Sequence, residues 1–114
     1  FGELFRAVDS VLKLYDITQV AIEGTIHVQN FQTAQIMGAS KGALLAAVAI
    51  EKLPVFEYAP LRVKQAVVGF GRASKIQVSK TVSMLLKLKG DLPSDEADAC
   101  AIALCHAMTS SNEL

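Results

Sequence analysis

Apolar residues recur at helical spacing near the start of the chain. Leu4, Phe5, Val8, Val11, Leu12 and Tyr15 fall on one stripe, which predicts an amphipathic helix over residues 3–15 with that stripe inward. The period then changes. Residues 18–23 (TQVAIE) alternate and favour extended backbone, a short buried strand that ends in the carboxylate of Glu23. Gly24 breaks it, and a polar stretch runs through Gln32. A long helix is predicted over residues 34–50, where Gly38, Gly42, Ala46 and Ala47 permit close approach of a second element. Residues 53–58 (LPVFEY) read as a second strand, and Pro60 opens a short helix, since proline suits a first helical turn. Gly69, Phe70 and Gly71 mark a turn. The next predicted helix covers residues 74–88, with Val78, Val82, Leu85 and Leu88 inward. After a break at 90–93 the last runs from Ser94, read as its N-cap, to Met108, and buries Ala97, Cys100, Ala101 and Leu104. Met37, Met84 and Met108 fall at core spacing, and residues 109–114 read as a frayed tail.

Two strands alternating with about five helices argue for an α/β fold with a parallel strand pair. No repeat or linker divides the 114 residues, which hold one domain with a modest core. Two strands are few for a sheet under this much helix, so the fold reads as incomplete at its N-terminus. A composition 52% hydrophobic and 19% charged excludes a disordered chain. The purest apolar run, residues 42–50, is nine long and too short for a bilayer, and no signal-peptide pattern is visible. The reading is therefore not a membrane protein. Cys100 and Cys105, five apart on a predicted helix, point roughly 140° from each other. That disfavours pairing and suits a reducing, cytoplasmic setting.

Charge changes the picture. The net charge is zero, yet residues 58–90 carry seven cations (Arg62, Lys64, Arg72, Lys75, Lys80, Lys87, Lys89) and no anion. Asp91, Asp95, Glu96 and Asp98 then cluster, and no Lys or Arg follows them. Cations for phosphates followed by carboxylates for metals are what a metal-dependent nucleic-acid enzyme uses. The same pattern also describes a solvated helix face followed by an acidic helix start. Asp95 and Asp98 sit three apart on one helix face, and Glu23 ends a strand, where open α/β sheets place ligands. Three such carboxylates in one place repel one another, and a hard divalent cation, most naturally Mg²⁺ with Mn²⁺ as the alternative, relieves that repulsion and activates water for phosphodiester hydrolysis.

The stretches AIEGTIHVQNFQTAQIMGASKGALLAAV, LPVFEYAPLRVKQAVVGFGRASKIQV and SDEADACAIALCHA resemble the RuvC family of Holliday-junction resolvases. The match is nearly gap-free from about Val20 to Ala107 and weaker over the first helix. VFEYAP-x-x-VKQAVVG-x-GRA-x-K is its most specific part. The resemblance implies a ribonuclease-H-like fold, a homodimer, symmetric Mg²⁺-dependent nicking of four-way DNA junctions in recombination and repair, and a cooperating branch-migration helicase complex. Carried over by position, Glu23, Asp95 and Asp98 are the catalytic metal ligands, and Lys64 and Lys75 meet DNA near the cut. Lys75 follows a glycine turn at a helix start, which favours phosphate, and Arg72 in that turn adds a phosphate contact.

Two departures accompany the resemblance. Family members begin with a GIDPG-type strand, whose aspartate completes the metal site, and two further strands. Nothing here corresponds, so three strands and one carboxylate are expected to be missing. That under-ligands the site and argues against cleavage by these 114 residues alone. The family often carries an aromatic at the position of Ile26, which stacks at the junction centre; isoleucine can wedge between bases but forgoes stacking. Phe31 is read as core or as a substitute wedge, His27 as a plain loop histidine, and His106 as structural. Gly38 and Gly42 suit either a dimer contact or packing within the chain. The alternatives to a resolvase are a non-cleaving branched-DNA-binding or dimerisation module, and another ribonuclease-H-like nuclease acting on RNA.

Overall fold

The structure, a computed structural model, describes residues 1–24 and 31–112. Among them the order is α1 (Gly2–Leu14), β1 (Val20–Glu23), α2 (Phe31–Ile50), β2 (Val55–Tyr58), α3 (Pro60–Val67), α4 (Lys75–Leu85) and α5 (Ser94–Asn112). Val20 N–H donates to the Pro54 carbonyl at 3.0 Å, and Gly24 N–H to the Tyr58 carbonyl at 2.8 Å. Both bonds keep one register and one direction, so β1 and β2 form a parallel two-stranded sheet. The α/β reading stands. Each strand starts two residues later than the alternation predicts, at β2 because Pro54 has no N–H for a ladder.

The chain divides into two compact units. The first comprises Phe1–Val20 and His27–Phe56, in which α1 packs on α2. Among the described residues its buried ones are Ala47 and Val48 of α2. The α1 stripe is only half inward: Leu4, Phe5, Val8 and Leu12 are partly buried, whereas Val11 and Tyr15 are exposed. Tyr15 caps the helix with extended backbone (φ −111°, ψ 154°), which swings it off the stripe. On the outer face Lys13 Nζ pairs with Asp9 at 3.0 Å, and that hydrogen bond, then the Asp9 charge, raises the lysine above its ordinary value. The pair is solvent-exposed and adds little to stability.

The second unit comprises Ala21–Ile26 and Glu57–Leu114. Its core is a cluster of small apolar side chains: Val63 and Val67 of α3, Val78 and Val82 of α4, Ala101 and Cys105 of α5, and Ala73 between helices. Val78 and Val82 point inward as their spacing predicts. Leu85 and Leu88 do not, because α4 ends at Leu85 and the chain turns out of the helix through Lys87 (φ 55°). Leu88 N–H closes that turn onto the Ser83 carbonyl at 2.9 Å and Lys87 N–H onto Met84 at 3.2 Å, a Schellman-type stop. Met84 and Met37 are exposed, contrary to their apparent core spacing. In α5 Ala97 and Ala101 are buried as expected, while Cys100 and Leu104 are only half-buried and Cys105 takes the innermost place. Ser94 is the first residue of α5 and not its cap. Ala97 N–H donates to the Pro93 carbonyl at 2.9 Å, so Pro93 accepts the first helical bond. The helix runs to Asn112, past the expected end at Met108. Both cysteines are free thiols, and no described helix is long and apolar enough to cross a membrane.

Candidate active site

The second unit contains a cavity of about 350 Å³ lined by the charged side chains of Glu23, Lys64, Lys75 and Asp98. Its apolar wall includes Val63, Val78 and Ala101, residues that also build the core, so the polar groups stand on a packed floor. Each arrives on a different element. Glu23 is the last residue of β1, held there because the next residue, Gly24, is hydrogen-bonded to Tyr58. Lys64 follows buried Val63 on α3, one step of about 100° around the helix from the inward stripe. Asp98 lies between buried Ala97 and Ala101 on α5, and their burial orients it.

Lys75 opens α4 directly after a capping box. Gln77 N–H donates to Ser74 Oγ at 3.1 Å, and Ser74 N–H donates to Gln77 Oε1 at 2.8 Å. The Ser-x-x-Gln spacing signals this box in the sequence and escaped the reading above. Ser74→Ala is expected to cost about 1 kcal/mol of stability. Chemical denaturation checks this, and an unchanged midpoint contradicts it.

The expected carboxylate set is only partly gathered. Glu23 and Asp98 share the cavity; Asp95 does not line it and lies in the exposed first turn of α5 beside Glu96. Three residues advance a helix by about 4.5 Å and turn it by about 300°, so Asp95 is displaced along the axis and around it. Among the described residues no group of three or more His, Cys, Asp or Glu side chains is placed to hold a metal ion. Two carboxylates nevertheless fit Mg²⁺, which commonly takes one or two protein carboxylates and fills its octahedron with water and substrate oxygens. Lys64 and Lys75 sit beside them without an ion pair among the described residues. The cavity thus offers hard anionic oxygens and cationic donors together, the combination that a cation–phosphate pair requires.

Arg72 lies in the exposed turn before α4, outside the cavity lining. Ile26 and His27, and the side chain of Phe31, lie outside the described residues. His106 is hydrogen-bonded to Tyr58 and does not line the cavity.

Residues 1–106 match the family model described as crossover junction endodeoxyribonuclease RuvC. The chain is 42% identical over 105 residues to the crossover junction endodeoxyribonuclease RuvC of Clostridioides difficile, covering 91% of this chain and 62% of that protein. It is 44% identical over 106 residues to the enzyme of the same name from Polynucleobacter asymbioticus, covering 93% and 62%. The chain therefore spans somewhat under two thirds of the length of these curated relatives. The structure of Thermus thermophilus RuvC superposes with a TM-score of 0.89 at 36% identity, covering 98% of this chain and 68% of that one. T. thermophilus RuvC in complex with a Holliday junction substrate gives 0.91 at 37% identity, covering 96% and 67%. A ribonuclease-H-like architecture accommodates the parallel strand pair and the helices around it. By the family model and by these identities, the chain belongs to the RuvC family.

Proposed function

We propose that this chain carries the cation- and phosphate-binding part of a structure-specific endonuclease that resolves four-way DNA junctions by symmetric nicking, in recombination and repair. The observation that carries the reading is the shared cavity of Glu23, Asp98, Lys64 and Lys75. Family membership supports it, as does the T. thermophilus relative's complex with a Holliday junction substrate.

Glu23 and Asp98 would hold Mg²⁺ or Mn²⁺, with Asp95 one turn away towards the start of α5. When bound, the cation supplies Lewis acidity towards a phosphoryl oxygen and lowers the pKa of water. Lys64 and Lys75 orient the scissile phosphate and offset charge that develops on its oxygens. Arg72 contacts a flanking phosphate from the exposed turn, and Ile26 wedges at the junction centre. The protein acts in the cytoplasm as a homodimer, with a branch-migration helicase complex as a further partner. At Gly38 and Gly42 an added Cβ would meet nothing within 4 Å, which supports a contact with a second copy through α2. A second reading, junction binding without cleavage, draws on the position of Asp95 outside the cavity.

Competition binding tests the substrate class. A labelled four-way junction in Ca²⁺ should be displaced by unlabelled junction at a concentration about tenfold or more below that needed for linear duplex or an RNA hairpin. An RNA hairpin that competes as well as the junction rejects the reading.

A further inference from the structure

Tyr58 Oη and His106 Nδ1 share a hydrogen bond of 2.5 Å, the donor being set by the imidazole tautomer, and their rings lie 5.6 Å apart. Both are half-buried, one at the end of β2 and the other on α5. Neither side chain lines the cavity, yet the bond joins α5, which carries Asp98, to β2, the strand paired with the one that ends in Glu23. On one side, the Tyr58 carbonyl accepts the Gly24 N–H at 2.8 Å, and Gly24 directly follows Glu23. On the other, Asp98 lies eight residues before His106 on the same helix, about 12 Å along its axis. Glu23, Gly24, Tyr58, His106 and Asp98 thus form one continuous mechanical path. Two weaker ties run beside it from α3: Arg62 Nη2 donates to Thr109 Oγ1 at 3.3 Å, and the Cys105 thiol to the Arg62 carbonyl at 3.9 Å.

We propose that the Tyr58–His106 hydrogen bond is a positioning latch that sets the spacing of Glu23 and Asp98. It makes His106 and Tyr58 positioning residues for the cavity, acting through the carboxylates they place. This rests on the reading of Glu23 and Asp98 as cation ligands. A side chain that orients a ligand affects ion affinity more than its own burial would suggest, because two carboxylates share one cation only within a narrow range of separations. The core cluster of α3, α4 and α5 holds the helices together without the latch, so its loss shifts α5 without unfolding the unit.

The test uses Tyr58→Phe, which removes the hydroxyl and keeps the ring, and His106→Gln, whose amide can still donate to or accept from Tyr58. His106→Ala serves if Tyr58→Phe does not fold. Residual dipolar couplings in the ion-free chain report the orientation of α5 against β1 and β2. Side-chain carboxyl carbon signals of Glu23 and Asp98 report Mg²⁺ binding in a titration. Tyr58→Phe should reorient α5 by about 10° or more and raise the common Mg²⁺ midpoint of both signals about 10–100-fold. His106→Gln, which keeps a polar partner for Tyr58, should leave both at the parent values. Couplings and midpoint that stay at the parent values in Tyr58→Phe overturn the latch. If the parent's two carboxyl signals ignore Mg²⁺, the cation reading fails instead, and the couplings alone decide the latch.

Discussion

Asp98→Asn is expected to reduce Mg²⁺-dependent nicking about 10³-fold in any form of the protein that nicks, and to leave junction affinity in Ca²⁺ within about twofold. The change is isosteric and removes one charge. Asp98 is solvent-exposed between two buried alanines, so folding should hold to within about 0.5 kcal/mol. Asp95→Asn provides the contrast. Sequence spacing alone treats the two aspartates as equals, whereas the structure puts only Asp98 in the cavity. The Asp95 change should therefore cost about tenfold at most. Single-turnover nicking of both variants checks the order, and a larger loss for Asp95→Asn contradicts the geometry.

The second large effect concerns Lys75. A cation at the first position of a helix faces the positive end of the helix dipole, and the first turn of α4 contains no acidic residue to compensate. On stability grounds a lysine is a poor choice there. Lys75→Met should leave folding stability unchanged or raise it by up to about 0.5 kcal/mol. The same change should lower nicking about 10²-fold and reduce the salt dependence of junction binding by about one unit of slope. A residue that costs stability and supports phosphate chemistry is there for the ligand. Loss of stability in Lys75→Met, with nicking intact, would falsify that assignment.

How much of this was legible beforehand varies by element. The helices announced themselves because inward residues repeat at short range: Val78 with Val82, Ala97 with Ala101. The parallel strands were legible from β-rich runs separated by a helix. Their first residues were not, since pairing depends on which N–H groups meet a carbonyl across the sheet. Leu85, Leu88 and Met84 misled because periodicity continues through a helix stop that backbone geometry at Lys87 imposes.

For the site, Glu23, Lys64, Lys75 and Asp98 came from strand end, helix start and family motif together, and the cavity gathers all four. The separation of Asp95 from Asp98 was invisible, because i, i+3 spacing places two residues on one face without saying which of them meets the neighbouring element. The Tyr58–His106 bond was equally hidden: its partners stand 48 residues apart, and the local patterns that contain them do not pair one with the other.

The central claim is that the cavity of Glu23, Asp98, Lys64 and Lys75 is where this chain meets junction DNA. Its most direct test is to incubate the chain with a synthetic four-way junction in Ca²⁺ and, separately, in Mg²⁺, and to follow binding and nicking together. The account predicts junction binding in both ions, lost in a Lys64→Met, Lys75→Met double variant, with any nicks symmetric and confined to Mg²⁺. Junction binding that survives the double variant unchanged, no binding at all, or nicking that continues in EDTA contradicts it.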